Sequence, residues 1–403
     1  MPETLIESPA VVVGGGPTGL TAAIALALGG LSTVLVGKRP AIPDNRTTAL
    51  LAGSVAALKA LGVWEFCAEQ AAPLKVMRLI DDTGRLWRAP EVKFTAKEIG
   101  LDAFGYNIEN HHLIAALERR ARSLPKLRLV EDDVISLAPG PNAAEISLKT
   151  ADALRARLVV GADGRKSKCR EAAHIEAQER RYRQSALTVC LKHSRSHGDT
   201  STEFHTSSGP FTLVPLPGHR SSLVWVIDRA KADEFEVLDD TELAEKIERA
   251  SHSILGKIEL EPGRGLFPLR VIRSRRSADR RIALVGEAAH VIPPIGAQGL
   301  NLGLRDAATI GELAVAAHRR GQDIGGPEVL ERYNRMRRAD IAGRTLVVDL
   351  FNRTLLSDLL PVQGMRGLGI YLVDRFGPLR RAVMREGVTP AAAQPRLMRG
   401  EQL

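Results

Sequence analysis

The chain of 403 residues has few aromatic residues, few cysteines and no long apolar run. Phe, Trp and Tyr together make up 4% of it, and Lys and Arg are spread along the chain, so no nucleic-acid reading module is recognisable. Cys67, Cys169 and Cys190 lie far apart and match neither a disulfide framework nor a zinc site. We therefore expect a protein of a reducing compartment that binds neither nucleic acid nor a metal.

Targeting and membrane-spanning segments are also lacking. The N-terminal stretch MPETLIESPA has no basic region and no signal-type apolar core. The most apolar run, 20–31, is far shorter than the roughly 20 residues that span a bilayer. A cytoplasmic protein is the expectation. The net charge of +9 also suits a phosphorylated cofactor or peripheral contact with an anionic inner membrane.

The clearest motif present is the glycine-rich segment in AVVVGGGPTGLTAAIALALGGLSTVLVGKRP, residues 10–40. Gly14, Gly16 and Gly19 have the G-x-G-x-x-G spacing between a predicted strand and an Ala/Leu-rich helix, and a second strand follows. Such a loop brings backbone and a helix N-terminus up to a pyrophosphate. The order of elements predicts a dinucleotide site.

One residue of that fingerprint is missing. An acidic residue is expected after the second strand to bind the ribose, but Gly37, Lys38 and Arg39 stand there. Basic residues at this place suit the 2′-phosphate of NADP, so an NADP-dependent dehydrogenase is one alternative function.

Two further strand–loop segments follow. LVVGADGRKSKCR (158–170) places Asp163 after a strand, where it could bind ribose or cap backbone N–H groups. LVGEAAHVIPPIGAQGLNLGLRDA (284–307) runs from a strand through a loop with Pro293, Pro294 and Gly296 into a helix. His290 in this loop is a weak catalytic candidate, because a lone histidine there is more often a structural hydrogen-bonding group.

Together the three segments resemble the class A flavoprotein monooxygenases, and more narrowly the ubiquinone-biosynthesis hydroxylase family. DNRTTALLAGSVAALKALGVW (44–64), FGYNIENHHLIAAL (104–117) and GAQGLNLGLRDA (296–307) resemble that family's segments. Ala297 stands where the last motif has its first glycine, and Glu287 stands where the family has the Asp of its G-D motif.

The resemblance implies FAD as cofactor and assigns residues to it. The Pro-Gly loop would lie against the flavin, and the helix N-terminus after it would stabilise negative charge on the reduced ring. The residues it assigns to the cofactor are Gly14, Gly16, Gly19, Arg46, Asn110, Asp163, Glu287, Gly299, Leu300 and Asn301.

The implied fold is α/β (α+β overall): a Rossmann-like FAD-binding domain of the para-hydroxybenzoate hydroxylase type, with an inserted β-sheet substrate domain and C-terminal helices. The FAD domain would comprise 1–75, 101–175 and 280–345, and the substrate domain 76–100 and 176–279. Residues 346–403 would be helical with a disordered tail, and the basic-apolar stretch 366–384 would pack on the FAD domain or lie on a membrane. The candidate pocket walls, which could equally be core, are Phe211, Leu213, Pro215 and Trp225.

The implied activity is hydroxylation of an aromatic ring with NADH or NADPH and O2, through a flavin C4a-hydroperoxide. The expected substrate is a polyprenylated phenol of ubiquinone biosynthesis, and other proteins of that pathway or a second copy are conceivable partners. A non-catalytic scaffold with the same fold is the second alternative, since both Gly37 and Glu287 depart from the family pattern.

Overall fold

The computed structural model describes residues 5–38, 46–84, 90–293, 297–356, 375–388 and 394–403. Several sequence predictions therefore lie outside the described residues, namely those for Arg39, Pro294, Gly296 and residues 366–374.

The described residues form both strands and helices. The strands are β1 (Ile6–Val13), β2 (Thr33–Val36), β3 (Thr47–Leu51), β4 (Ala71–Pro73), β5 (Val76–Asp81), β6 (Val92–Thr95), β7 (Gly105–Glu109), β8 (Leu127–Val130), β9 (Val134–Pro139), β10 (Ala144–Leu148), β11 (Leu154–Gly161), β12 (Ala177–His193), β13 (Thr200–Thr206), β14 (Gly209–Leu216), β15 (Arg220–Asp228), β16 (Ile258–Leu260), β17 (Gly265–Ser274), β18 (Ala278–Asp279), β19 (Ile282–Leu284) and β20 (His290–Val291). The helices are α1 (Pro17–Leu28), α2 (Ala52–Ala60), α3 (Asn110–Arg122), α4 (Lys168–Ala172), α5 (Ala232–Val237), α6 (Asp240–Ala250), α7 (Gln298–Arg319), α8 (Pro327–Leu356) and α9 (Gly377–Val388).

The first sheet has the order β18-β19-β11-β1-β2-β8, and β10 and β9 extend it beside β11. Strands β19, β11, β1, β2 and β8 pair in parallel. A parallel sheet is covered on both faces, which explains why residues 10–13 are all apolar and all buried. Helices α1 and α7 pack against each other over one face. This sheet is the Rossmann-like layer predicted from the sequence.

The second sheet has the order β20-β17-β12-β15-β14-β13-β5-β6, and β16 pairs with β12. Strands from two separate parts of the chain meet in it, because β13 pairs in parallel with β5. This is the arrangement that an inserted β-sheet domain requires; the domain boundaries themselves stay a prediction. Residues 204–215 lie in a hairpin of this sheet, with β13 and β14 joined at Ser207–Ser208.

A third, small sheet, β3-β7-β4, joins the two larger sheets. Ser222 of β15 accepts hydrogen bonds at its Oγ from Thr47 of β3, at 2.8 Å, and from the Asn107 amide of β7, at 3.1 Å. Beside them, the Arg220 guanidinium contacts the carboxylates of Glu109, at 3.2 Å, and Glu261, at 2.6 Å. These contacts determine which face of the second sheet is turned toward β3 and β7.

The C-terminal residues 394–403 differ from the sequence expectation of a disordered tail. Leu397 and Met398 are buried in the main core, where they pack beside α2. The backbone N–H of Arg396 also donates to Glu312 of α7 at 2.8 Å. Two apolar side chains one after the other give no periodic pattern, so the sequence alone did not reveal this anchor.

Helix α9 contacts the segment around β6. Met384 is buried beside Phe94, and Arg380 donates to Glu98 at 2.6 Å. The hydrogen bonds from Arg380 lower the pKa of Glu98 to about 2. Helix α9 therefore contacts a segment assigned to the substrate domain, and the same apolar cluster includes Phe104 of the predicted FAD domain. Among the described residues, no helix is long and apolar enough to cross a membrane.

Candidate functional site: a phosphate loop and a ring-binding loop beside the second sheet

The glycine loop between β1 and α1 is tightly packed at two of its three motif positions. Gly14 has φ +119°, and a Cβ there would lie 2.2 Å from the carbonyl oxygen of Ala162. A Cβ on Gly19 would lie 2.0 Å from the carbonyl oxygen of Gly14. These two glycines are required by the fold itself, because a side chain would collide with backbone.

Gly16 is different, because a Cβ at this position would meet no atom within 4 Å. It is the N-cap of α1, with Pro17 at the first helical position. The helix therefore presents its N-terminal N–H groups and positive dipole end toward open space, without a capping side chain from its N-cap. A pyrophosphate fits these donors, and only a residue without a side chain leaves them accessible.

The second motif forms a cap. Asp163 accepts hydrogen bonds from the hydroxyl of Ser167, at 2.6 Å, and from the backbone N–H of Cys169, at 3.1 Å. Of the two roles predicted for Asp163, the capping one is therefore present in the structure. The carboxylate holds the start of α4 beside Ala162, whose carbonyl packs on Gly14. Its assignment to the cofactor stays a prediction.

The position of the missing ribose-binding acid is crowded. A Cβ on Gly37 would lie 2.4 Å from the backbone nitrogen of Gly15, so a side chain here would collide with the glycine loop. The neighbouring Lys38 donates to Asp133 at 2.6 Å. A lysine that is paired with an aspartate is less suited to bind a nucleotide 2′-phosphate. This pairing weakens the alternative hypothesis of an NADP-dependent dehydrogenase.

The third motif meets the first at Thr18. A Cβ on Gly286 would come within 3.0 Å of the Thr18 Oγ1, and one on Gly303 within 2.6 Å. The turn after β19 and the first turns of α7 therefore pack directly on the start of α1. The N-termini of α1 and α7 lie in one neighbourhood, although about 280 residues separate them in the chain.

The start of α7 is held in place by Asn301. Its Oδ1 accepts from the Leu51 N–H, at 2.9 Å, and from the Ser54 hydroxyl, at 2.6 Å, while its Nδ2 donates to the carbonyls of Ala49 and Ala297. The Asn301 side chain therefore positions the helix. In the turn before it, Ala297 has a left-handed φ of 54°, and a Cβ on exposed Gly299 would meet nothing within 4 Å. The backbone N–H groups near Gly299 and Leu300 are the donors left for a ligand.

Behind the loop lies a buried charge cluster centred on Asp306. Its carboxylate accepts from the Gly286 N–H, at 2.9 Å, and contacts His290 Nε2, at 2.7 Å, and Arg337 Nε, at 2.6 Å. Burial opposes ionisation, yet the Arg337 guanidinium, the His290 ring and the Gly286 N–H together hold the pKa of Asp306 below its ordinary value. His290 is thus a buried hydrogen-bonding partner of Asp306, and its catalytic candidacy stays a weak prediction.

Asp306 and Arg337 were not singled out in the sequence. Asp306 lies in the quoted G-L-N-L-G-L-R-D segment, so the motif itself was a usable signal. Arg337 lies 31 residues further on in α8 and has no local signal, because a buried arginine is recognised only once its acidic partners are known.

The other residues that the sequence predicts to bind the cofactor are Glu287, Arg46 and Asn110. Glu287 is half exposed and paired with Arg165 at 3.1 Å. The Arg46 guanidinium lies 5.4 Å from the ring centre of Phe267 in β17. Asn110 accepts from the Thr48 hydroxyl at 2.6 Å, and its own N–H donates to the carbonyl of Arg46 at 2.8 Å. Arg46 and Asn110 are thus adjacent, as their shared assignment requires.

The predicted pocket walls belong to the core instead. Phe211, Leu213 and Trp225 lie on the face of the second sheet that packs against α5 and α6, and the Trp225 ring contacts Phe235 of α5 edge to face. Pro215 is also buried on this face, and its carbonyl accepts from the Asn107 amide at 2.9 Å. Successive side chains of a strand point to opposite faces of the sheet. The large apolar residues of these strands lie on the face that α5 and α6 cover.

The opposite face is the one turned toward β3 and β7, since it carries Ser222. Its partly exposed side chains near that contact are Thr188, Thr212, Val214, Val224 and Phe267. This face, which we call the inner face, is apolar to mildly polar and is the better candidate to cover an aromatic ring.

No activated thiol is available as a nucleophile. Burial, with smaller contributions from Glu109 and Glu261, raises the pKa of Cys190 to about 12. Burial likewise raises the pKa of Cys67 to about 11 and that of Cys169 well above its ordinary value. The thiols stay protonated near neutral pH, so none of the three serves as an activated nucleophile.

The chain matches a known protein family, curated proteins and solved structures. The model of the FAD binding domain family matches residues 7–346. Ubiquinone hydroxylase UbiL of Rhodospirillum rubrum is 34% identical over 98% of this chain and 93% of its own length. The 3-demethoxyubiquinol 3-hydroxylase of Escherichia coli is 33% identical over 93% of this chain and 96% of its own. Among solved structures, p-nitrophenol 4-monooxygenase PnpA of Pseudomonas putida has a TM-score of 0.78 at 18% identity, covering 96% of this chain and all of that one.

Proposed function

Since the chain belongs to the FAD-dependent monooxygenase family that contains the ubiquinone-biosynthesis hydroxylases, we propose that it hydroxylates a polyprenylated phenol with NADH or NADPH and O2. The fold is that of the para-hydroxybenzoate hydroxylase type. The observation that carries the proposal is the convergence of the N-termini of α1 and α7, of which α7 is bound through Asn301 to β3, the strand that contacts Ser222 on the inner face.

The residues present fit FAD. The open space at Gly16 and the N-terminus of α1 would receive the pyrophosphate. Arg46 would approach the phosphate or the flavin edge, and Glu287 would accept hydrogen bonds from ribityl or ribose hydroxyls. Asn110 would contribute beside Arg46. When bound, FAD supplies the redox chemistry that passes one oxygen atom of O2 to the aromatic ring.

The protein's own contribution is position, charge and exclusion of water. Backbone N–H groups at the start of α7 would stabilise negative charge at the pyrimidine edge of the ring, with Asn301 holding the helix in place. Pro293, buried at the end of the described loop, would limit solvent there. On the other side, Val214, Val224 and Phe267 would cover the substrate ring and keep water away from the reaction.

A polyprenylated phenol must be collected from a membrane or a carrier, because it is too apolar to diffuse freely. Helix α9 and the residue before it expose Phe376 at 59%, Leu379 at 40% and Val383 at 47%, and the same helix carries Arg381 and Arg385. An exposed apolar row with adjacent basic residues suits an anionic lipid surface. This supports peripheral membrane contact as part of the proposed function.

The pathway proposal is tested by deleting the gene and analysing quinones. An under-hydroxylated polyprenyl phenol should accumulate, ubiquinone should fall, and the native chain should rescue the strain. Gly16→Val is the control, because it should fold but not rescue. Normal ubiquinone in the deletion strain, without a parallel hydroxylase, would reject the pathway role. Absence of flavin from the purified native chain would reject the chemistry as well and favour a scaffold.

The inner face is tested by a pair of neighbouring residues that point in opposite directions. Val224→Ala should change the KM for the aromatic substrate by several-fold and leave stability nearly unchanged, because this side chain is only partly buried. Trp225→Ala should destabilise the fold by about 3–5 kcal/mol, as expected for a large buried aromatic residue. A larger KM effect at Trp225, with the fold intact in both variants, would return the pocket to the helix-covered face.

A further inference from the structure

A cavity lies between the end of β17 and helix α8, away from the glycine loop. Its volume is about 240 Å³, far above the roughly 10–15 Å³ that a single water needs. It is lined by four arginines, four other polar residues and one apolar residue: Gln178, Arg273, Ser274, Arg275, Arg276, Ser277, Asn334, Arg338 and Ile341. We call it the arginine cavity.

The four arginines of this cavity are not all neutralised by neighbours. Arg275 pairs with Glu176 at 3.0 Å, and Arg276 contacts Glu331 and, at 3.6 Å, Asp279. Arg273 and Arg338 have no ion pair with any acidic side chain of the described part of the chain. Two guanidinium groups with free donors thus border one polar cavity, an arrangement that attracts an anion.

A buried polar atom points to the same conclusion. The Ser274 Oγ is buried and has no hydrogen-bond partner among the described residues, which is uncommon in folded proteins. The Asn334 amide, by contrast, is occupied: it accepts from the Ser277 and Ala278 N–H groups and donates to the Ala278 carbonyl, each at 2.8–2.9 Å. Asn334 therefore shapes the wall, and Ser274 has a hydroxyl available for a ligand.

We propose that the arginine cavity binds a phosphate group, as a monoester or a diester. Guanidinium groups bind phosphate oxygens through paired N–H donors, and a serine hydroxyl adds a third contact. The cavity is distinct from the proposed FAD site, because none of its residues belongs to the glycine loop or to the start of α7. Its phosphate would come from a pyridine nucleotide or from a phospholipid headgroup.

Backbone contacts connect the arginine cavity to the loop that begins at Pro293, which would lie against the flavin. Arg273 pairs with His290 across β17 and β20, and the Ser274 N–H donates to the Ala289 carbonyl at 3.1 Å. Residues 289–290 lie directly between the Glu287 turn and the loop that begins at Pro293. An anion in the cavity would therefore be bound next to the strand that leads into the ring-binding loop.

The test uses the purified FAD-bound protein and its variant with both Arg273→Gln and Arg338→Gln. Both side chains are exposed, so the variant should keep its fold and its flavin. Inorganic phosphate, followed by calorimetry, should bind the native protein and bind the double variant at least about 10-fold more weakly, as expected for loss of charged hydrogen bonds. Arg249→Gln, an exposed arginine of α6, is the matched control and should bind phosphate normally.

Two further arms identify the source of the phosphate. A nucleotide source predicts a raised KM for NADPH or NADH in the double variant, with vesicle binding unchanged. A lipid source predicts loss of co-sedimentation with phosphatidylglycerol vesicles but an unchanged KM. Weakened phosphate binding with neither arm affected supports a different small phosphate ester. No phosphate binding by the native protein, or equal binding by the double variant, would overturn the proposal.

Discussion

The glycine loop and the Asp306 cluster support the same candidate cofactor site but are built in opposite ways. The loop is made of backbone packed on backbone: Gly14 lies against the Ala162 carbonyl, and Gly19 lies against that of Gly14. The Asp306 cluster is centred on a side chain, because one buried carboxylate binds the Gly286 N–H and the His290 ring of one turn and the Arg337 guanidinium of α8. We therefore expect that an added side chain at Gly14 or Gly19 destabilises the loop. In the Asp306 cluster, we expect that the loss of a charge destabilises the fold.

The largest effect is expected at the cluster. Asp306→Asn should lower the free energy of unfolding by about 3–5 kcal/mol, because it removes the charge of the fully buried one of the two carboxylates, Asp306 and Asp340, that contact the buried Arg337 at 2.6 Å. Chemical denaturation of the apo-protein measures this. Asp133→Asn removes an exposed carboxylate paired with Lys38 beside the glycine loop, and it should have the small effect typical of surface pairs. Similar losses in both variants would contradict the distinction.

The stability of the native protein should also depend on pH differently from that of Asp306→Asn. The folded-state pKa of Asp306 is lowered, so its contribution is fully present above the unfolded pKa of about 3.9 and is lost as the pH falls through the folded value. Stability of the native protein should therefore decline more steeply below about pH 4 than that of Asp306→Asn. Parallel acid profiles of the two proteins would show that Asp306 is not ionised in the fold.

The next effect separates folding from binding within the loop. Gly16→Val should weaken FAD binding at least about 100-fold, or roughly 2.7 kcal/mol, because the new side chain fills the space meant for the pyrophosphate. The apo-protein should keep its stability, since nothing lies near that position. Gly19→Ala is the matched control and should destabilise the apo-fold through a backbone collision. Retained flavin in Gly16→Val would disprove the assigned site.

A smaller effect on FAD binding is expected at Arg46, a side chain at the edge of the proposed FAD site. Arg46→Ala should weaken FAD binding by roughly 10-fold, as for loss of one charged hydrogen bond. The variant should fold normally, because Arg46 is exposed and its ring contact is with half-buried Phe267. Titration of apo-protein with FAD measures the affinity, with Arg119→Ala, another arginine over a phenylalanine ring, as control. An affinity equal to that of the control would remove Arg46 from the site.

The smallest effect is expected at Glu287. Glu287→Ala should weaken FAD binding only several-fold, because the carboxylate is half exposed and already paired with Arg165. Glu287→Asp should be tolerated or should tighten binding, since it restores the family residue. The same titration measures both. A loss at Glu287→Asp as large as that at Glu287→Ala would show that the longer side chain is needed in this chain.

The sequence by itself determined the parts of the protein that depend on local geometry. Gly14, Gly16 and Gly19 occur within six residues, and the strands and helix around them have their own apolar patterns. The glycine loop and the start of α7 were predictable for that reason, whereas the fold type was implied by the resemblance of three spaced segments to a known family. Asn301 was also found, although as a cofactor residue, whereas its side chain positions the helix.

Only the tertiary structure decided which sheet face covers the site and which buried charges belong together. Trp225 and Val224 are neighbours in sequence but lie on opposite faces, and only the Ser222 contact with β3 shows which face is the inner one. Arg337 acquires a role because α8 brings it to Asp306, and residues 394–403 are ordered because a core receives Leu397 and Met398. Long-range contacts of this kind depend on where distant elements pack, and no short stretch of sequence contains that information.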